Sequence, residues 1–202
     1  MEISYSKKKI VLNREWFAID KFTLKFVSHL DKLEIPYVLV SGYVALAFGR
    51  SRNTEDVDLF MGKINEKKFT SLWNALEKDG FDCINAKTPD LAFTGYLLNQ
   101  TALRFCLKGQ FIPNVEMKFP KNRLDEYSLN ERIELVLNGE KLFISPLELQ
   151  IAYKAYLGSD KDIEDAVYLL ELLKGKLDIL EIRKFMGNFN ISESTKAKLV
   201  GI

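Results

Sequence analysis

Two carboxylates one residue apart, inside a stretch that otherwise reads as a buried strand, constrain this chain more than any other feature. The segment DVDLFM sets Asp56 and Asp58 among Val57, Leu59, Phe60 and Met61. Strand side chains at i and i+2 share a face, about 6–7 Å apart. Two like charges there repel each other and lose hydration unless something cationic sits between them. A divalent metal meets that need, because hard oxygen ligands on one face leave positions open for water and substrate phosphates. The alternative is an edge strand with one solvated face.

The flanking residues extend the pattern. Upstream, helical spacing of apolar residues runs from Trp16 to Leu33, Pro36 ends that helix, and YVLV reads as a strand buried on both faces. Ser41-Gly42 then turns the chain into a short helix, Tyr43–Phe48. Backbone N–H groups at such a strand-to-helix turn attract anions. Gly49 to Thr54 follows, carrying Arg50 and Arg52 just before the acids. A third carboxylate, Glu116, stands in the strand-like PNVEMKF, where an unpaired charge is again disfavoured. Its adjacency to Asp56 and Asp58 is an expectation, since strand order cannot be read from spacing.

The remaining elements alternate until residue 145. An amphipathic helix is expected over Asn65–Lys78, closed by Asp79-Gly80, followed by the strands FDCINA, TALRFCL and NVEMKF. RIELVLNGEKLFIS is a hairpin signal around Asn138-Gly139, the dipeptide favoured for type I′ turns. SPLE reads as a helix start, with Ser145 as N-cap, Pro146 first and Glu148 third. Helices are expected over Pro146–Leu157 and Lys161–Lys174, with a weaker pair from Asp178 to Leu199. The expected fold is α+β (α/β): a sheet with flanking helices over 1–145, and a C-terminal helical bundle over 146–202.

Composition narrows the chemistry. With 29 basic and 28 acidic residues, overall charge predicts neither nucleic-acid nor membrane binding. Locally, Leu103–Leu124 holds five basic residues against one acid, Glu116, a surface suited to phosphate. Cys83 and Cys106 lack metal-ligand spacing and read as buried free thiols. His29 is the single histidine, which removes His-based metal sites and Ser-His-Asp arrangements. It reads as a structural residue of the first helix. The N-terminus shows no secretory pattern, and the longest uncharged apolar run, Tyr37–Phe48, is too short to span a bilayer. A soluble, cytoplasmic protein is expected.

The motif VSGYVALAFGRSRNTEDVDLF resembles the signature of the DNA polymerase beta-like nucleotidyltransferase superfamily. That signature is a small-residue turn, a helix, Asp-x-Asp on the next strand and an acid on a later strand. The GRSRNTEDVDL version is similar to small stand-alone members, among them the nucleotidyltransferase toxins of abortive-infection toxin–antitoxin systems. ISPLELQIAYKAYLGSDKDIEDAVYLL resembles their C-terminal helical motif, a Lys followed by Lys-Asp-x-x-Asp. Together the matches cover roughly Tyr37 to Leu170. The turn is Ser-Gly rather than the commoner Gly-Ser, and the third acid is Glu rather than Asp.

The resemblance implies a nucleotidyltransferase-like mixed sheet. It implies that Asp56, Asp58 and Glu116 are catalytic and bind Mg²⁺ (or Mn²⁺). Ser41 and Gly42 would hold the β- and γ-phosphates, Lys154 would contact phosphate, and Arg52 and Thr54 would brace the triphosphate or the acidic pair. Asp162 and Asp165 would serve substrate binding or orient Lys154. The implied reaction moves a nucleoside monophosphate from an NTP to an acceptor hydroxyl on a tRNA or other RNA, a protein or a small molecule, with a cognate toxin or antitoxin as partner. The rival readings are a catalytically inactive binding or antitoxin module of the same fold, and a phosphohydrolase built on the same acids.

Overall fold

The computed structural model describes residues 3–52, 54–189, 191, 195 and 199. Alternation of apolar and polar residues dictates most of its strands, and these join into one mixed nine-stranded sheet. In chain order the elements are β1 (Ile3–Tyr5), β2 (Lys9–Leu12), α1 (Ala18–Lys32), β3 (Tyr37–Leu39), α2 (Gly42–Ala47), β4 (Asp56–Met61), α3 (Glu66–Lys78) and β5 (Phe81–Cys83). They continue with α4 (Pro89–Leu91, running into a π-helical turn over Ala92–Leu97), β6 (Leu103–Leu107), β7 (Asn114–Lys118), α5 (Arg123–Asn130), β8 (Ile133–Leu137) and β9 (Glu140–Ile144). Three helices close the described chain: α6 (Leu147–Leu157), α7 (Asp160–Leu172) and α8 (Ile179–Asn188). The strand order is β1-β2-β8-β9-β3-β4-β7-β6-β5.

Several elements carry the local chemistry the sequence announces. Asn65 caps α3 by accepting from the Lys68 N–H, and Gly80 follows that helix at φ +84°. Asn138 and Gly139 both have positive φ and close the β8–β9 hairpin. Cys83 and Cys106 are free and buried. His29 is buried on α1, with Nε2 2.8 Å from Asp79 Oδ2, a satisfied structural histidine.

Other elements depart from the expectation. SPLE forms no capping box: Ser145 is turned inward, its Oγ 3.4 Å from Ser128 Oγ, and Pro146 precedes α6 without a side-chain cap. Glu148 instead accepts from the Tyr5 hydroxyl and the Asp178 N–H, tying α6 to β1 and α8. Strands β1 and β2, the helical turns over 89–97 and α5 have no counterpart in the periodicity reading. Each is short, and β2 pairs with the short β1 and, in parallel, with β8 far along the chain. The second of the weaker helices expected before Leu199 lies mostly outside the described residues.

The core sits between the sheet and α1, α3 and the C-terminal helices, and a single buried cluster runs from Ile10 to Leu199. Within it, Asp20 is fully buried at the start of α1. It accepts from Arg14 (2.7 and 2.9 Å), from the Phe17 N–H (2.7 Å) and from the Tyr43 hydroxyl of α2 (3.0 Å). That set anchors α2, and hence the Ser41-Gly42 turn, to α1. Asp20→Ala leaves Arg14 buried and unpaired, and should cost about 3–5 kcal/mol in urea unfolding. Removing Lys8 from its exposed pair with Glu131 should change stability far less, because solvent screens that pair. Similar losses for the two would contradict this role.

Candidate functional site

Strand pleat and register assemble the acidic face. In β4, Val57, Leu59 and Met61 are fully buried against the core, so Asp56 and Asp58 take the opposite face. Strand β7 lies parallel to β4 with Asp58 opposite Glu116 and Asp56 opposite Asn114. The structure therefore brings Glu116 beside Asp58. The Asn114 amide donates to Asp56 Oδ1 at 2.6 Å, while Asn114 Oδ1 is buried with no hydrogen-bond partner.

The three acids differ in their surroundings. Burial pushes the Asp58 carboxyl up from its usual range and the Glu116 charge adds to it, against a hydrogen bond from the Ser41 side chain and the charge of Lys118. Glu116 forms an ion pair with Arg104, its cross-strand partner on β6, with Nη2 2.5 Å from Oε1. Among the described residues, no three His, Cys, Asp or Glu side chains are gathered closely enough to hold a metal ion. The donor chemistry nonetheless fits a hard divalent cation: three carboxylates on one face, one disfavouring its own charge, beside an orphaned amide oxygen.

The β3–α2 turn borders this face. Ser41 adopts φ +60°, a conformation that favours glycine. Its carbonyl accepts from Gln150 Nε2 of α6 at 3.3 Å, so α6 holds the turn. A Cβ on Gly42 would lie 3.0 Å from the Arg52 guanidinium, so the absence of a side chain lets Arg52 lie against the turn. Thr54 braces the entry to β4 by donating to the Asp56 carbonyl at 3.1 Å.

A second cluster stands behind the turn. Asp165 of α7 is fully buried and accepts from Lys154 Nζ at 2.5 Å, from Arg50 and from Arg52. Lys154 is 1% exposed and also lies 3.3 Å from Asp162, which accepts from Ser159. Burial drives the Lys154 ammonium down to about 8, against the opposing pull of Asp162. Lys154 thus presents no open charge to solvent, and Arg52, with its Nε unpartnered, is the cation set against Gly42.

The site residues expected from the sequence thus fall into two groups. Asp56, Asp58, Glu116 and Ser41 share the acidic face, and Gly42, Arg52, Lys154, Asp162 and Asp165 form the cluster behind it, with Thr54 between. Sequence reasoning missed Arg104, Asn114 and Gln150 as site residues, which only register and helix packing bring there. It passed over Arg50, although the Arg50-x-Arg52 spacing before the acids was a signal. Tyr153 adjoins the acids as well: burial raises its hydroxyl pKa, and Asp125, Asp162 and Asp58 add to the shift. It lines a cavity of about 80 Å³ with Ser41, Phe60, Asn122, Asp125 and Gln150. A wider cleft of about 430 Å³, walled by Ile19, Leu46, Arg50 and Arg52, includes none of the three acids in its lining.

No family model matches the sequence, and no curated protein matches it either. Solved structures do match the fold. An antigenic nucleotidyltransferase-like protein from Paracoccidioides brasiliensis aligns over 90% of this chain and 93% of its own, at 22% identity and TM-score 0.52. ANT(2'')-Ia, in complex with adenylyl-2''-tobramycin, aligns over 86% and 98%, at 12% identity and TM-score 0.56. The lincosamide antibiotic adenylyltransferase LnuA, lincomycin-bound, aligns over 79% and 99%, at 11% identity and TM-score 0.52. The chain has the nucleotidyltransferase fold.

Because Asp58 binds its proton more tightly in the folded than in the unfolded chain, its ionisation erodes stability as pH rises above the ordinary value of 3.8. Asp58→Asn should therefore raise Tm at pH 7 by about 2–4 °C, the shift that ~1 kcal/mol produces in a chain of this size. The gain should shrink below pH 4 in calorimetric scans. A lower Tm at pH 7 would overturn the electrostatic account.

Proposed function

We propose that this protein transfers a nucleoside monophosphate from an NTP to an acceptor hydroxyl. The observation that carries the reading is the placement of Asp56, Asp58 and Glu116 on one face, in register, beside the Ser41-Gly42 turn. Helical bundles and binding modules have no need of three carboxylates arranged so, because each costs desolvation. The fold shared with adenylyltransferases agrees with this reading.

In the proposed reaction the acceptor oxygen attacks the α-phosphorus in line. The new P–O bond forms as the bond to the β-phosphate oxygen breaks, and pyrophosphate leaves. Asp56, Asp58 and Glu116 would hold Mg²⁺ or Mn²⁺, and such an ion supplies charge neutralisation to attacking and leaving oxygens. The proton of the acceptor passes to a carboxylate oxygen of this face that the ion leaves free, Glu116 being the candidate. Arg52 attracts the triphosphate at the turn. Arg50, Asp165, Lys154 and Asp162 keep Arg52 in place, so Lys154 acts as a strut rather than as a direct phosphate ligand. Thr54 and Gln150 fix the backbone of the strand and of the turn. The catalytic core comprises 1–145, and 146–202 is the helical part that braces it.

The acceptor separates the remaining alternatives. Small molecules are the acceptors suggested by the antibiotics named with the similar structures. RNA is the acceptor suggested by the basic residues around Glu116. A role in the cytoplasm as one half of a toxin–antitoxin pair rests on the sequence resemblance. One experiment addresses the reaction and its acceptor: incubate with each of four α-labelled NTPs, Mg²⁺ or Mn²⁺, and total RNA, cell lysate, tobramycin or lincomycin. Label should move to one acceptor class, and Asp56→Ala should lower the transfer at least about 100-fold, the scale on which one electrostatic stabiliser acts. No metal-dependent NTP binding by calorimetry would favour an inactive module.

A further inference from the structure

The three carboxylates of the acidic face are unequally compensated. Asp56 has the Asn114 amide at 2.6 Å and no ion-pair partner among the described residues. Asp58 likewise has no cation at ion-pair distance, since Lys118 of the neighbouring strand stands over the Phe60 ring, 5.4 Å from its centroid. Glu116 alone is paired, by Arg104 Nη2 at 2.5 Å on Oε1. The contact is a single one, the Arg104 side chain is 54% exposed, and its only described side-chain ion pair is this one.

Such an arrangement is a held position that yields easily. Arg104 and Glu116 are register partners across β6 and β7, so the guanidinium reaches the carboxylate without backbone strain. The contact draws Glu116 towards β6, on the side of β7 away from β4 and Asp58. The three acids share one face without forming a gathered three-acid cluster among the described residues.

We infer that Arg104 is a built-in counter-ion for Glu116, competing with a divalent cation for that carboxylate and thereby setting the cation affinity of the site. The inference rests on the metal reading of the acidic face given above. When a cation takes Glu116, Arg104 is released on the exposed side of the sheet, beside Lys118, with its charge free for an anionic group of the substrate. An exposed ion pair is cheap to exchange, corresponding to a factor of up to about 5 in an equilibrium.

The test reads cation binding rather than turnover. Free Mn²⁺ is followed by electron paramagnetic resonance in the intact protein, in Arg104→Gln, in Arg104→Lys and in Glu116→Gln. Arg104→Gln should bind Mn²⁺ about 3–5-fold more tightly than the unaltered protein at low ionic strength. The difference should narrow as salt screens the exposed charge, and Arg104→Lys should stay near the unaltered protein. In a Glu116→Gln background, Arg104→Gln should leave Mn²⁺ affinity unchanged. Equal or weaker binding by Arg104→Gln, or the same gain without Glu116, overturns the inference and leaves the metal reading intact. No Mn²⁺ binding by any of the proteins removes both.

Discussion

A carboxylate with no exposure at all is the condition on which the site's geometry depends. Taking Asp165 out of water costs several kcal/mol, and the cost is offset only where cations and hydrogen bonds surround it closely. Lys154 does so from the preceding helix, and Arg50 and Arg52 from a loop distant in sequence. The same contacts hold Arg52 against Gly42, and the Gln150–Ser41 bond fixes the adjoining turn. The C-terminal helices therefore build the edge of the acidic face rather than decorate it. Asp20 performs the corresponding task from the N-terminal side, linking α1 to α2 through Tyr43.

The acidic face shows the opposite electrostatic logic. Asp165 is neutralised by design of its surroundings, whereas Asp58 is half-buried beside a like charge and held against its own preference. Stability alone would replace Asp58 with an apolar residue, as the rest of β4 shows. Such a local sacrifice is what a site that binds charge requires, because the interaction withheld from the folded protein is kept for the ligand.

How much of this was legible in the sequence follows from how local each feature is. Asp56 and Asp58 were readable because their anomaly lies within six residues, and the Asn138-Gly139 hairpin because its turn chemistry is self-contained. Gly80 and Asn65 mark the ends of α3 for the same reason. Glu116 was visible as a misplaced charge, but only the parallel pairing of β4 with β7 sets it beside Asp58. Arg104 looked like one basic residue among five, and its meaning comes entirely from its cross-strand partner. SPLE misled for an instructive reason: Ser145 and Glu148 both have tertiary partners, and these outcompeted the local cap. Lys154 was singled out by motif, yet motif alone could not tell a buried strut from a surface ligand.

The bond between Arg50 and Asp165 bridges 115 residues, and that distance has a temporal meaning. A ribosome delivers about 5–20 residues per second, so the loop bearing the arginines precedes its counter-charge by several seconds. Strand β7 must likewise appear before Asp58 gains its neighbour, and β8 before β2 gains its parallel partner. Until α6 and α7 have emerged, the turn lacks both the Gln150 bond and the contacts that hold Arg52 against Gly42. The site is assembled only once every residue from Asp20 to Asp165 has been made.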